Sequence, residues 1–449
     1  MGIFDNFFDR IINGLADRII GETGRQVAIA RSYRMGTQRE QLKVKPTQFD
    51  DNITINLTGL IANRITSQVI GGGVTFDFEG DTETPQETWV RACLNANKQE
   101  ILLHKAELSA TEAGTGYLDL SGGDVFDDSG TAYPSIYMID PVWVTMESLP
   151  ENYEIVTKYT IQYKFTDTNG KERTRKKVIE RNTDNEFWTI TESVGDGYAS
   201  RMEIVSSIEW PFEFAPIIHW QNLPSIIGAY GDPDICSDLI RLQDRVNFVS
   251  SNISKVIRLY AHPQRWSRNY MKEKVEVGPD QMPNFNSADG GIWQLDPLAD
   301  LASSMTYYRS LRQSMFDRAR VVDIDSMQDK LGSLTNFGLR VLYQDNLNLI
   351  ATKRELFGDA LEQLIIRLQR INGMQPVPAV IVWPDFLPVN KVEETTAAKT
   401  DLEMGIVSKE TISGVRGYDW EKEQERMANE KINTTSIGTT ILENFNKGV

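Results

Sequence analysis

The chain has 449 residues, of which 40% are hydrophobic and 24% are charged, so it is long enough for two or three globular domains with cores of their own. Its formal net charge of −16 argues against a protein that grips nucleic acid through a basic surface. The only cysteines, Cys93 and Cys236, are far apart, which argues against a disulfide framework or a cysteine metal site.

The N-terminal twenty residues carry apolar side chains at helical spacing and early aspartates, without a basic n-region. They predict an amphipathic helix that docks on a partner or on the body of the protein, not a signal peptide. The helix has few Lys or Arg residues, which argues against binding to a membrane surface. Asn6 replaces the Ser or Thr of a myristoylation motif. The sequence contains no run of 18 apolar residues, so no membrane span is predicted.

The first half of the chain mixes helices and strands. Apolar periodicity predicts helices at 24–35, 58–70 and 86–113. Alternating patterns predict strands, and Asn169-Gly170 between two of them is a hairpin signal. The predicted strands are VTFDF, GYLDL, YPSIYMID, VWVTME, YEIVTKYTIQYKF, RKKVIE, EFWTITE and PIIHW.

A long helix is predicted from residue 235 to about 260. Asp232, Pro233 and Asp234 suit its start as cap, first-position proline and dipole partner. Apolar residues then recur in alternating steps of four and three, which is the seam of a helix packed along another helix. The seam consists of Ile235, Leu239, Leu242, Val246, Val249, Ile253 and Val256.

An irregular insertion at 261–302, with small strands at VEVGP and GGIWQL, separates this helix from a second one at 303–320. A polar loop follows. A long periodic helix is then predicted from about 335 to 371, with bends at Gly338 and Gly358.

The C-terminal part begins with VPAVIVW, which is predicted to be a buried strand. Asn390 and Ser408 are predicted caps of two short helices, and Gly405 is the predicted end of the first. Asp419 is the predicted cap of a last acidic helix.

Signals for catalysis are poor. IGGGVTF lacks the Lys and hydroxyl of a phosphate-binding loop. His104, His219 and His262 fall in separate predicted elements. Asp323 and Asp325 are close enough in sequence to bind a divalent cation, but simple solvation and facing a polyanion are equally open. No catalytic residue, metal or cofactor is predicted.

Several segments occur in an order that resembles a known family. They are YRMG, NITINLTGLIANRITSQVIGGGVTFD, GTGYLDL, SIYMIDPVWV, APIIHWQNLPSIIGAYGDPDICSDLIRLQDRVNFVSSNI, GIVSKETI and RGYDWEKEQERMANE. Over about residues 30–430 the chain resembles the portal proteins of tailed double-stranded DNA bacteriophages, of the type found in long-tailed phages of Gram-positive hosts. It departs from the family at 231–234, where Gly-Asp-Pro-Asp replaces the frequent Gly-x-Ser-Asp.

The resemblance implies an α+β portal fold assembled as a ring. Its parts would be an N-terminal helical arm (1–45), a wing (46–230, with 337–387 returning to it), a first stem helix (231–260), a clip (261–302), a second stem helix (303–320), a tunnel loop (321–336), a long bent helix (337–372) and a crown with a C-terminal tail (388–449).

The implied function is structural, not enzymatic: a ring of typically twelve subunits at one capsid vertex, through which double-stranded DNA is packaged and ejected. The implied partners are other copies of the chain, DNA, terminase, head-completion or adaptor proteins, tail proteins, the major capsid protein and a scaffolding protein. The protein would assemble in the host cytoplasm and become part of the virion, without contact with a membrane.

The resemblance also suggests functional residues. The tunnel loop would face DNA through Asp323, Asp325, Gln328, Asp329 and Lys330. Neighbouring copies would cover the open side of the apolar seam. The clip would contact other subunits or partners, with local packing as the alternative, through Trp266, Tyr270, Phe285 and Trp293.

Two alternatives from other classes stay open. One is a metal-dependent enzyme that uses Asp323 and Asp325. The other is a different capsid-associated structural protein, such as a minor head protein fused to a portal-like body.

Overall fold

The computed structural model divides the chain into two compact units, Met1–Gln328 with Leu342–Phe386 and Asp329–Val341 with Leu387–Val449. The predicted amphipathic helix at the N-terminus lies outside the described residues. The structure describes residues 22–42, 49–78, 84–182, 187–196, 201–226, 228–261, 265–268, 289, 291–294, 301–327, 336–385, 391–415, 420 and 422–428.

Helices and antiparallel sheets make up the described residues, which confirms the α+β class. The helices are α1 (Glu22–Met35), α2 (Leu57–Ile70), α3 (Pro85–Ala96), α4 (Gln99–Ala113), α5 (Ser237–Ala261), α6 (Leu301–Arg318), α7 (Asn336–Leu342), α8 (Gln344–Ile371), α9 (Lys391–Glu403) and α10 (Lys409–Val415). The strands are β1 (Thr75–Phe78), β2 (Thr115–Asp119), β3 (Asp124–Phe126), β4 (Ala132–Pro134), β5 (Tyr137–Met138), β6 (Val144–Leu149), β7 (Asn152–Thr166), β8 (Glu172–Arg181), β9 (Trp188–Asp196), β10 (Met202–Trp210), β11 (Ile217–Gln221), β12 (Arg265–Arg268), β13 (Gly291–Gln294) and β14 (Ala379–Val382).

The largest sheet has five antiparallel strands in the order β10-β9-β8-β7-β6. The predicted Asn169-Gly170 turn joins β7 to β8, and Gly170 has a φ of 76°, which favours glycine. Asp167 stabilises this turn because its carboxylate accepts the Asn169 and Lys171 amides, both at 2.9 Å. One face of the sheet is apolar, and its row of Ile190, Ile179, Tyr159 and Met146 is buried.

A second sheet, in the order β11-β2-β5, lies in the main core of the first unit. Trp220 on β11 stacks on Phe357 of α8, with ring centroids 4.8 Å apart. A Cβ at Gly116 of β2 would lie 2.1 Å from the Trp220 indole, so only glycine leaves room for this tryptophan. The long helix α8 is therefore packed directly on the sheet.

The helix predicted at 86–113 is two helices, α3 and α4. Asn97 leaves the helix because its side chain bonds to the strands: its amide nitrogen donates to the Pro134 carbonyl at 2.9 Å, and its carbonyl accepts the Ile136 amide at 2.7 Å. Lys98 then adopts a left-handed φ of 54°, which ends the first helix. The prediction of one continuous helix was wrong at this point.

The long helix predicted from 335 to 371 is interrupted at Tyr343, between α7 and α8. Gly338 lies inside α7 and Gly358 inside α8, so the interruption is at neither glycine, and the bends at these positions stay predictions. The Cβ of an alanine at Gly358 would meet Ile381 and Trp383 at 3.8 Å. This is an ordinary contact distance, so the packing around this position does not require a glycine.

Two strand predictions also need correction. VPAVIVW was expected to be buried, but Val380 and Val382 of β14 are 59% and 46% exposed. Among the described strands, β14 pairs with β1 alone, and it packs on α8 through one face. The strand β10 was not predicted. A β-bulge between Ile204 and Ser206 breaks the two-residue alternation that the sequence search relied on.

The second unit contains the short helices predicted near the C-terminus. Gly405, with a φ of 68°, follows α9, and the Ser408 hydroxyl accepts the Thr411 amide at 3.1 Å as the cap of α10. Residues 422–428 are helical. Asn390 and Asp419 lie outside the described residues. Among the described helices, none has the length and apolarity that crossing a bilayer requires.

Candidate stem and channel loop

The first predicted stem helix, α5, carries three uncharged polar side chains on one face, Gln243, Asn247 and Ser251, which are 0%, 2% and 1% exposed. Each accepts hydrogen bonds from backbone amides of the segment that leads into α2. The bonds are Ile53 N–H to Ser251 Oγ, Ile55 N–H to Asn247 Oδ1, and both Leu57 N–H and Thr58 N–H to Gln243 Oε1, all at 3.0 Å. We call this arrangement the polar ladder.

The polar ladder works because two regular spacings coincide. Four residues of an α-helix rise by about 6 Å, and two residues of extended chain advance by about 6.6 Å. Side chains four apart on α5 therefore meet alternate amides of an extended segment that runs in the opposite direction. Buried amides need such partners, so the segment before α2 is fixed against α5.

Gln243 is the most connected group of the polar ladder. Besides the two amides, its carbonyl oxygen accepts the Thr58 hydroxyl at 3.1 Å. Its amide nitrogen donates to the Ile55 carbonyl at 2.6 Å and to Asn247 Oδ1 at 3.0 Å. A buried glutamine with all its groups paired costs little to bury, and it fixes both partners.

A charged pair extends the polar ladder toward the end of α5. Arg258 donates to both carboxylate oxygens of Asp51, at 2.7 and 2.6 Å. The hydrogen bond from Arg258 lowers the pKa of Asp51. The segment before α2 is thus attached along most of the length of the helix.

A buried charge cluster fixes the chain just before α5. It consists of Lys353 on α8, Glu107 on α4 and Asp234 in the loop before α5, with side chains 1%, 1% and 6% exposed. The Lys353 ammonium lies 2.7 Å from Asp234 and 3.1 Å from Glu107. It also donates to Asn222 at 2.6 Å and Thr111 at 3.0 Å.

Two carboxylates share one ammonium in the buried charge cluster. This arrangement and the burial of the cluster shift the pKa values of Glu107 and Lys353. Burial raises the pKa of Glu107, and Lys353 only partly opposes that shift. For Lys353, burial lowers the pKa, but the attraction of Asp234 and Glu107 is stronger, so the net shift is upward. The lysine therefore stays charged, while burial favours the protonated form of Glu107.

The predicted capping of α5 was wrong. The helix begins at Ser237, so Asp232, Pro233 and Asp234 lie before its first turn. Asp234 is bound to Lys353, and Asp232 has its amide bonded to the Leu223 carbonyl at 3.0 Å. Asp238 instead lies in the first turn, where Arg318 of α6 contacts its carboxylate. Burial raises the pKa of Asp238, but hydrogen bonds with Cys236 and Arg318 outweigh it and lower the pKa to about 2.

The apolar seam is largely covered within one chain. Leu239, Val246 and Val249 are 0%, 0% and 9% exposed, because α5 packs on α6 and α2. The expectation that neighbouring copies cover the seam is therefore wrong for these three residues. Ile235 is also buried but precedes the helix, and Leu242, Ile253 and Val256 are half-buried.

One arginine joins α6, the predicted second stem helix, to the loop that follows it. Arg312 of α6 donates to both oxygens of Asp323 at 2.8 Å and to Asp325 at 2.5 Å. The Asp323 side chain is 8% exposed, whereas that of Asp325 is 57% exposed. Hydrogen bonds to the two aspartates raise the pKa of Arg312, with Asp323 contributing most. Arg312 thus binds both members of the pair that was considered for a metal ion and offsets one of their two negative charges.

Two further sets of predicted residues are placed only in part. Gln328, Asp329 and Lys330 lie outside the described residues, as do Tyr270 and Phe285. Trp266 and Trp293 lie opposite each other in the register of β12 and β13. A small two-stranded sheet therefore lies between α5 and α6 in the chain.

The sequence search missed the polar ladder and the buried charge cluster. The polar ladder had a signal: uncharged polar residues at positions 243, 247 and 251, four apart, alongside the apolar seam. The buried charge cluster had a weaker one, a lysine between Ile350 and Phe357 on the apolar face of α8. Its acidic partners come from distant positions in the chain, so spacing alone did not indicate them.

Comparison with known proteins identifies the family. No curated protein matches the chain. The family model described as phage portal protein, SPP1 Gp6-like, matches residues 28–436, which include the whole α5–β12–β13–α6 arrangement and both attachments of α5. The chain belongs to the SPP1 Gp6-like family of phage portal proteins.

Proposed function

We propose that copies of this chain form a ring, typically of twelve, with α5 and α6 around a channel for double-stranded DNA. The family match over residues 28–436 carries the proposal. The order of helix, small sheet and helix between Ser237 and Arg318 supports it, because this is the stem and clip order that a portal requires.

The exposed side of the two helices supports contact between neighbouring copies. Phe248 and Ile257 on α5 are 37% and 52% exposed, and Met305 and Tyr307 on α6 are 40% and 45% exposed. The guanidinium of Arg245 lies over the rings of Phe248 and Tyr307 at 5.3 and 5.9 Å. Such apolar and aromatic side chains with an arginine are typical of subunit interfaces. In the ring, this surface would meet the next copy.

Charge supports passage of DNA rather than tight binding. Each chain carries a formal charge of −16, or about −190 in a ring of twelve, and such a field repels a polyanion on average. DNA binding needs many Lys or Arg contacts to phosphate. An acidic ring would let the duplex slide.

The loop after α6 would face the DNA. Of its described acidic residues, Asp325 has the exposed carboxylate, while Asp323 is held against Arg312. Asp325, with Gln328, Asp329 and Lys330, would therefore meet the duplex first. Asp323 would reach it only if its ion pair opened, and would otherwise fix the start of the loop.

The remaining regions would bind the other components of the phage head. The clip at 261–302, with Trp266, Tyr270, Phe285 and Trp293, would contact neighbouring copies and the terminase or head-completion proteins. The wing would contact the major capsid protein and a scaffolding protein. Assembly would take place in the host cytoplasm, and the ring would become part of the virion.

The mass of the purified protein tests the ring. One chain is 50.9 kDa, so twelve copies give about 600 kDa in a closed assembly. Native mass spectrometry and negative-stain images should show annular particles of this size. A 50.9 kDa species at every concentration, with no annular particles, would contradict the proposal.

The role of the loop is tested separately. Asp325→Asn should leave the rings intact but change the amount of DNA packaged per ring in a reconstituted packaging assay, because the exposed charge facing the duplex is lost. Asp317→Asn is the matched control, since Asp317 is exposed on α6. Equal packaging by the two variants would argue against a DNA-facing Asp325.

The family match does not favour the two alternatives. The matched family is a structural one, and no group of three or more metal-binding side chains occurs within the part of the chain that the structure describes.

A further inference from the structure

A small groove lies between α5 and α6, beside the exposed Tyr307. Its volume is about 170 Å³, and its apolar lining consists of Val249, Ile253, Val256 and Leu301. Ile253, Val256 and Leu301 are only half-buried, so the apolar seam is partly open here. Because an apolar cavity of about 150 Å³ can hold a benzene ring, the groove has room for one phenyl group.

A phenyl group is exposed at the start of the segment before α2. Phe49 is 69% exposed, yet it is held in place. The Arg258 guanidinium lies 5.1 Å from its ring centroid, and the same guanidinium binds Asp51. An exposed aromatic side chain that is already fixed loses little freedom when it enters a pocket, which favours its use in an interface.

The groove and the phenyl ring lie on opposite sides of α5. The groove is lined by positions 249, 252, 253 and 256 of the helix, whereas the segment that carries Phe49 is held by positions 243, 247, 251 and 258. At about 100° per residue, the centres of these two sets are roughly 170° apart around the helix. The ring of one chain therefore cannot fill the groove of the same chain.

The charges on the two sides of α5 are of opposite sign. On the side of the phenyl ring, Glu40 and Asp50 are exposed, and both accept the side-chain amide of Asn52, at 3.5 and 2.9 Å. On the side of the groove, the exposed Arg245 donates to the Tyr307 hydroxyl at 3.3 Å. Opposite charges around an apolar contact steer two surfaces together and fix their register.

We propose that Phe49 of one copy fills the groove between α5 and α6 of the next copy. The occupant is a second copy because ring and groove match in size, carry opposite charges around them and cannot meet within one chain. In a closed ring of about twelve, each subunit meets its two neighbours on sides roughly 150° apart, close to the separation around α5. The inference rests on the proposed ring and names the contact that would join its subunits.

Cross-linking between copies tests the contact. Asp50→Cys combined with Asn252→Cys keeps the phenyl ring and places one thiol beside it and one in the groove. A short bismaleimide should then link neighbouring copies into a ladder of multimers on denaturing gels. Asp50→Cys with Ser314→Cys is the matched control, since Ser314 is exposed on α6 outside the groove, and it should give at least tenfold less linked product.

Removing the phenyl ring gives a second readout. Phe49→Ala should raise the protein concentration at which half of the chains are in rings at least tenfold. Phe126→Ala should leave that concentration unchanged, because Phe126 is 65% exposed on β3, away from the groove. Melting temperatures would establish that both variants are folded.

The outcomes separate this inference from the proposed function. Rings that form equally well in Phe49→Ala and wild type, or cross-linking no stronger than in the control pair, would overturn the contact and leave the ring intact. If the wild-type chain formed no rings at all, the proposed function would fail as well.

Discussion

Two buried polar arrangements hold α5, the predicted first stem helix, and they differ in charge. The polar ladder along α5 is neutral and pairs its groups with backbone amides. The buried charge cluster places two carboxylates around the ammonium of Lys353. Neutral amides hold their partners at any ordinary pH, whereas a charge cluster depends on its protonation state. One helix is thus held in two ways, of which only the charge cluster depends on pH.

The largest effect should come from breaking the buried charge cluster at its centre. Lys353→Met leaves Glu107 and Asp234 buried without a cation and should lower the free energy of unfolding by about 3–5 kcal/mol. Urea unfolding at fixed protein concentration would measure it. Lys105→Met, on the exposed face of α4, is the matched control.

A rescue experiment identifies the cause of that loss. Adding Glu107→Gln and Asp234→Asn to Lys353→Met removes all three charges and should recover most of the lost stability. If the triple variant were no more stable than the single one, uncompensated charge would not be the reason.

The second-largest loss of stability should come from breaking the polar ladder. Gln243→Leu removes the acceptor for two amides and a hydroxyl and should lower the free energy of unfolding by about 3 kcal/mol, since each buried donor without a partner costs about 1–3 kcal/mol. Gln313→Leu, at an exposed position of α6, should change it by less than about 0.5 kcal/mol. Comparable losses in the two variants would show that the polar ladder is not critical.

The pH profile should separate the two arrangements. Because the pKa of Glu107 is raised in the folded chain, folding favours its protonated form. The stability it contributes is present below the ordinary value of 4.5 and is lost as the pH rises toward the folded pKa, by at most about 1.4 kcal/mol per pH unit for one proton. Glu107→Gln should flatten this fall, measured by thermal unfolding across pH.

A variant in the polar ladder should change the dependence of stability on pH in a different way. Gln243→Leu should lower the curve at every pH without changing its slope relative to wild type, because no titrating group is removed. A slope that changed in Gln243→Leu and not in Glu107→Gln would reverse the comparison.

The smallest effect is expected at Ser251, the last residue of the polar ladder along α5. Ser251→Ala leaves only the Ile53 amide without its acceptor and should cost about 1 kcal/mol. Ser254→Ala, one turn away and half-exposed, is the control, and urea unfolding is again the measurement. An unchanged midpoint in Ser251→Ala would show that water replaces the hydroxyl.

Local patterns were sufficient for most single elements. The Asn169-Gly170 turn, the seam helix and four of the five strands of the large sheet were predictable because their signals lie within a few neighbouring residues. Prediction failed where a tertiary contact or an irregularity overrides the local period. The side chain of Asn97 bonds to Pro134 of β4 and to Ile136 just before β5, which ends its helix. The bulge in β10 hides the alternation of that strand.

The candidate site was less predictable than the fold. Asp234 looked like a helix partner because Pro233 precedes it, but its partner is Lys353, 119 residues later in the chain. Asp323 and Asp325 looked like free carboxylates because the sequence does not show that the side chain of Arg312 binds both of them. Pairings of this kind depend on how distant elements come together, which no spacing rule contains.

The matched pitch of the polar ladder allows only one register. If the segment before α2 moved by two residues along α5, the acceptors would have to be taken from positions 239 or 255, which are Leu239 and Lys255. Neither side chain has an oxygen that could accept a hydrogen bond from a buried amide. A force on α5 would therefore either carry the segment before α2 along with the helix or break their hydrogen bonds, because the segment cannot slide along the helix to new acceptors.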